Sequence, residues 1–151
     1  MASLVASVEV ESPAVAIDVG EPVLLAPTSR QLPVLQPSPI PPEWVLAGKP
    51  LARAIELTPG GKGQCTSGLW ACSAGRFNWH FASDEIVRIL NGEVHLRFDD
   101  REQTARAGDV VAFRGGSIVE WNVPEYIEKF WVLGPPPTLA TRLRRKLKRA
   151  G

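Results

Sequence analysis

The sequence predicts an all-β protein, a small barrel or sandwich, and three observations carry that expectation. Apolar and polar residues alternate along much of residues 51–134, as in Leu51/Arg53/Ile55/Leu57 against Ala52/Ala54/Glu56 and Phe77/Trp79/Phe81 against Asn78/His80. A period of two is that of a strand with one buried face. The alternating runs are short and end in Gly, Asp or Asn, which tolerate the backbone angles of tight turns. The 151 residues include 13 Gly and 14 Pro, a content that favours strands and turns over long helices.

Taken in order, residues 1–41 form a Pro-rich N-terminal arm, and nine of the 14 prolines fall within residues 1–50. Proline at that density excludes long helices and central strands. Two strand-like pieces remain, at 4–10 and 23–26. The arm is either a solvated leader or a segment laid along the barrel or along a second subunit; its apolar content favours partial docking. Residues 42–134 form the barrel. Its later strands are expected at 86–90, 94–98, 110–113, 119–123 and 127–133. Asn91-Gly92 reads as a two-residue hairpin turn of the type I′ kind, and Asp99-Asp100 as a second turn. Gly60-Gly61-Lys62-Gly63 reads as a hairpin. Residues 135–151 form a basic tail. Pro135-Pro136-Pro137 stops the last strand, and Thr138 can cap a short helix running to about Ala150. Leu139, Leu143 and Leu147 give that helix a narrow apolar stripe between basic flanks.

The net charge of +1 conceals a division: six of the 17 basic residues lie in the tail, and no acid follows Glu128. The body is mildly acidic, so nucleic-acid binding by the whole protein is not implied. The basic tail leaves surface contact as a minor reading. Cys65 and Cys72 do not form a CxxC pair. With no secretory leader legible near Met1, both are expected as reduced thiols in a cytoplasmic protein. No apolar run is long enough for a transmembrane helix. The glycine-rich stretches lack the spacing of a phosphate loop or a nucleophile elbow.

One constellation carries chemistry. Glu85 opens a strand, Gly92 follows seven residues later, and Gly108-Asp109 opens another strand before Gly116. This body resembles a cupin, the small jelly-roll β-barrel. Glu85 and Gly92 match the E(X)6G half of the first cupin motif, and Gly108 and Gly116 match the glycines of the second. With Gly68-Leu69-Trp70, Gly75-Arg76-Phe77, Asp84-Glu85 and Trp121, the chain resembles the branch of the (S)-ureidoglycine aminohydrolase cupin domain, over about residues 42–134. The resemblance implies a cupin-type jelly-roll barrel, commonly a homodimer, with a metal or ligand site inside. The chain departs from the motif where the histidines belong. Those positions fall on Trp79 and Phe81, or on Asn78 and His80, according to spacing; in the second motif Arg114 replaces the proline and Val119 the histidine.

Glu85 is therefore the sharpest candidate. It is either an acid or base in an aromatic cavity, or an ion-pair partner of Arg88, Arg114 or Arg76. Trp79, Phe81 and Trp121 are expected as pocket walls, with Arg88 or Arg114 as anion contacts. No metal is the primary expectation. The alternative is a divalent first-row transition metal on His80 and Glu85, which two ligands alone would hold poorly. His95, between Glu93 and Arg97 in phase, belongs on the solvated face. Three functions follow: binding of a small organic molecule with a degenerate metal site, an aminohydrolase- or isomerase-type enzyme, or a non-catalytic scaffold.

Overall fold

A computed structural model describes residues 34–58 and 64–150. The expected strand pieces at 4–10 and 23–26 and the glycine hairpin at 60–63 lie outside the described residues. In chain order the elements are β1 (Gln36–Pro37), a 3-10 turn (Pro42–Trp44), β2 (Val45–Gly48), β3 (Ala52–Thr58), β4 (Thr66–His80), β5 (Glu85–Phe98), β6 (Arg101–Arg106), β7 (Val110–Phe113), β8 (Ile118–Leu133) and α1 (Leu139–Arg149). The strands pair antiparallel in one network, ordered β1-β3-β4-β8-β5-β6, with β2 on β4 and β7 on β5. The all-β expectation holds, and the antiparallel strands form a jelly-roll barrel.

Three long strands make the frame. β4, β5 and β8 have 15, 14 and 16 residues, and β8 lies between the other two. All three are longer than the period-two runs indicate. The expected strands at 86–90 and 94–98 are one strand, because Asn91-Gly92 does not reverse the chain. Asn91 stays opposite Glu128 and Gly92 opposite Ile127, with register shifts on both sides. Gly92 alone takes a positive φ, +78°, whereas a type I′ turn needs two such residues. The result is a bulge that bends β5 without ending it. Pro124 likewise interrupts the pairing of β8 without splitting it: the register with β4 shifts between Ser73 and Gly75. The reversal occurs at Asp99-Asp100, where Phe98 faces Arg101 and Asp99 takes φ +54°.

Alternation fills the barrel. On β5, Val87 and Ile89 are almost fully buried, while Ile86 and Leu90 on either side of them are 55% and 43% exposed. The same phase puts Phe77, Trp121, Val123 and Ile127 inside, joined by Trp70, Cys72, Val94 and Phe113 in one core. Gln36–Pro37, at the end of the expected arm, pairs with β3 as an edge strand, the place in a sheet where proline is tolerated.

The tail forms the expected helix. The Thr138 hydroxyl accepts from the Thr141 N–H at 3.3 Å, and Leu139, Leu143 and Leu147 remain exposed. Arg145 ties the helix to the barrel, donating to the Ala82 carbonyl at 3.2 Å. No helix among the described residues is long and apolar enough to cross a membrane.

Candidate functional site

The site is built from the first residue of β5 and a residue near the end of β8. Glu85 is inward by the phase of Val87 and Ile89, and is 5% exposed. Lys129 is inward by the phase of Ile127 and Trp131, and is 3% exposed. Its backbone lies opposite Ile89, further along β5 than Glu85. The long side chain leans along the sheet, as strand side chains do, and its Nζ donates to Glu85 Oε1 at 2.8 Å.

Three indoles surround that ammonium. Lys129 Nζ lies 4.7 Å from the ring centroid of Trp121, 5.0 Å from Trp70 and 5.6 Å from Trp79. The rings brace one another edge-on: Trp70–Trp121 at 5.9 Å and Trp70–Trp79 at 5.7 Å. Each ring face carries negative quadrupole density toward the cation, worth about 0.5–2 kcal/mol. Burial still costs the ammonium its water. Desolvation therefore pulls the Lys129 pKa below the ordinary lysine value, and the Glu85 carboxylate opposes that pull. The indole N–H groups of Trp70 and Trp121 are buried without a hydrogen-bond partner. An unpaired buried donor costs about 1–3 kcal/mol.

A groove of about 240 Å³ opens beside this cluster, lined in part by Leu96, Phe98, Val111, Phe113, Arg114 and Val119. Phe113 belongs to both regions. It stacks on Phe81 at 4.3 Å and packs 5.6 Å from Trp121.

Of the residues singled out in the sequence, Trp79, Trp121 and Glu85 meet at Lys129, and Phe81 stands one ring away, behind Phe113. The arginines lie elsewhere. Arg88 is exposed on the opposite face of β5 from Glu85. Arg114 is exposed at the groove rim and pairs with Asp84 at 3.1 Å. Arg76 approaches Glu120 at 4.0 Å. The partner of Glu85 is thus a lysine, not one of these three. Lys129 escaped the sequence reading. Its signal was a single cation at an inward position between Ile127 and Trp131.

Asp84, next to Glu85 but in the opposite phase, has a different task. Its carboxylate accepts from the Gly115 N–H at 2.8 Å and from Arg114. Those bonds hold its pKa below the usual carboxylate value, the Gly115 bond foremost. This clamps the β7–β8 turn at the groove rim. Asp109 similarly accepts from the Arg106 N–H at 2.8 Å and so fixes the turn before β7.

The histidines do not gather around Glu85. His80 is exposed and stacks on Trp44 at 4.5 Å. His95 Nδ1 bonds the Thr104 hydroxyl at 2.9 Å on the partly solvated face. Among the described residues no three His, Cys, Asp or Glu side chains converge. The carboxylate that matches the cupin motif glutamate holds an ammonium instead. A metal ion there would meet one carboxylate and a like charge, so the residues present do not fit one.

A jelly roll with one motif carboxylate turned into its interior resembles a cupin domain, and residues 59–131, just under half of the chain, match the family described as the EutQ-like cupin domain. Among curated proteins the chain is similar to the acetate kinase EutQ of Salmonella typhimurium, 36% identical over 59 residues, which is 39% of this chain and 26% of that protein. The EutQ of Clostridioides difficile is 29% identical over 59 residues, 39% of this chain and 38% of that protein. The chain thus spans well under half the length of these relatives. Among solved structures, the ethanolamine utilization protein Q of Salmonella typhimurium is 25% identical with a TM-score of 0.50, over 58% of this chain and 72% of that one. A DUF861-family protein of unknown function from Pseudomonas syringae is 23% identical with a TM-score of 0.62, over 68% of this chain and 45% of that one. These matches carry the cupin resemblance; they do not carry the finer one to the ureidoglycine aminohydrolase branch.

Proposed function

We propose that this cupin domain binds a small, mostly apolar organic molecule without a metal, and that the Glu85–Lys129 pair engages its polar end. The observation that carries the reading is the ion pair itself, buried among three indoles. A buried pair is a poor source of stability compared with packed hydrophobic residues. Placing one in a barrel otherwise filled by Val, Ile, Phe and Trp favours a functional use. Two further features support it. The unpaired N–H groups of Trp70 and Trp121 are donors that a ligand oxygen would satisfy. The neighbouring groove is lined mostly by Phe and aliphatic side chains, with Arg101, Gln103, Arg114 and Ser117 among them, the mixed lining of a small-molecule site. An aminohydrolase- or isomerase-type reaction needs a metal held by several ligands, and His80 and Glu85 do not supply them.

A thermal-shift screen of small carboxylates, ureides, sugars, amides and carbonyl compounds tests the proposal. At least one class should raise the melting temperature of the wild type. Val111→Trp, which adds bulk to the groove wall, should abolish that rise. If every class leaves both proteins unmoved, the reading is wrong.

A further inference from the structure

Lys129 is positioned for more than holding a ligand. This inference rests on the ligand-binding reading and names the class of molecule bound. We infer that Lys129 condenses with a small uncharged aldehyde or ketone to form an imine, with Glu85 carrying the protons.

The geometry supplies the parts such a step needs. The nucleophile is a primary amine, buried and 2.8 Å from a carboxylate oxygen. That contact is within proton-transfer distance. The surrounding Trp70, Trp79 and Trp121 rings keep water from the amine, and a desolvated lysine is the usual form of an imine-forming lysine. The lowered pKa of Lys129, caused first by burial, agrees with this. Charge selects the substrate. Glu85 and Lys129 already neutralise one another, so a third buried charge would be left uncompensated. A neutral carbonyl compound brings no charge, and its oxygen can accept from a donor such as the unpaired indole N–H groups.

The step balances. Glu85 takes a proton from the Lys129 ammonium, and the free amine lone pair forms a C–N bond to the carbonyl carbon. The carbonyl oxygen takes up that proton, giving a carbinolamine. The C–O bond then breaks, the oxygen leaves as water with a second proton drawn from the nitrogen through Glu85, and the C=N bond forms. The nitrogen keeps the third of its original hydrogens, so the product is the iminium, which replaces the ammonium opposite the Glu85 carboxylate. Overall, one ammonium and one carbonyl compound give one iminium and one water, with no oxidant or reductant.

The test uses the full chain, with acetaldehyde and acetone as probes and borohydride as the trapping reductant. Intact mass followed by peptide mapping locates the label. Expected is a single reduced adduct on Lys129, formed roughly tenfold faster than on the solvated Lys49, Lys146 and Lys148, and slowed by about the same factor in Glu85→Gln. Both comparisons are needed. The wild-type map depends on no variant folding, and Glu85→Gln separates proton transfer from mere burial. Label confined to the surface lysines overturns the inference. Carbonyl compounds that raise the melting temperature but leave Lys129 unlabelled overturn the covalent step and leave the ligand-binding reading standing. No thermal shift with any class, and no label, overturns both.

Discussion

Replacing Lys129 with methionine keeps most of the side-chain volume and removes the charge, leaving the Glu85 carboxylate 5% exposed and without its partner. Breaking a buried ion pair from one side costs about 3–5 kcal/mol, a large part of the roughly 5–15 kcal/mol that holds a domain folded. The converse change, Glu85→Gln, should cost less. It strands an ammonium, but one still facing three ring systems at 4.7–5.6 Å, each worth about 0.5–2 kcal/mol. That ammonium can also shed its proton, since burial already lowers its pKa. Glu85→Gln is therefore expected at about 1–3 kcal/mol, and the double variant nearer to wild type than Lys129→Met alone. Equilibrium urea unfolding, followed by the fluorescence of the five tryptophans and by far-ultraviolet circular dichroism, measures all three with unchanged slopes. A penalty under about 1 kcal/mol at neutral pH, or Glu85→Gln costing more than Lys129→Met, would refute the caged-pair account.

Gly92→Ala should destabilise by several kcal/mol, because an added Cβ collides with the Tyr126 carbonyl and the residue must hold φ +78°; an urea midpoint close to wild type would count against the bulge. Cys72 provides the pH prediction. Burial pushes its thiol from 9.0 up to about 12, so above pH 9 the unfolded chain ionises while the folded one does not. The stability this raised pKa supplies is complete below pH 9.0 and drains away as the pH rises towards 12, at about 1.4 kcal/mol per unit and at most about 4 kcal/mol in total. Lys129, with its pKa lowered from 10.5, has the opposite slope, adding stability as the pH rises towards 10.5. Cys72→Ala isolates the thiol: it should cost about 1 kcal/mol at neutral pH and flatten the alkaline fall in urea midpoints, and an unchanged fall would remove the thiol as its cause.

What the amino-acid order determines by itself here is local. Alternation at Phe77/Trp79 and at Ile86–Leu90 tells which side chains turn inward, because neighbouring residues on a strand point to opposite faces whatever the strand pairs with. The Glu85–Gly92 spacing, the Gly108-Asp109 corner and the Thr138 cap are legible for the same reason: each depends on a few adjacent residues. Asn91-Gly92 marks the boundary of that legibility. The pair tolerates a hairpin, but pairing of both residues with β8 makes it a bulge. The site lies beyond the boundary. Glu85 and Lys129 are 44 residues apart in sequence, and nothing near either names the other. Arg88 is much nearer to Glu85 along the chain, yet strand parity turns it to the opposite face. Only the packing of β8 against β5 puts an ammonium beside the motif carboxylate, and only the meeting of β4 with β8 closes three indoles around it. Electrostatics in a dry interior depends on distance through space, and the order of residues does not contain that distance until the sheet has closed.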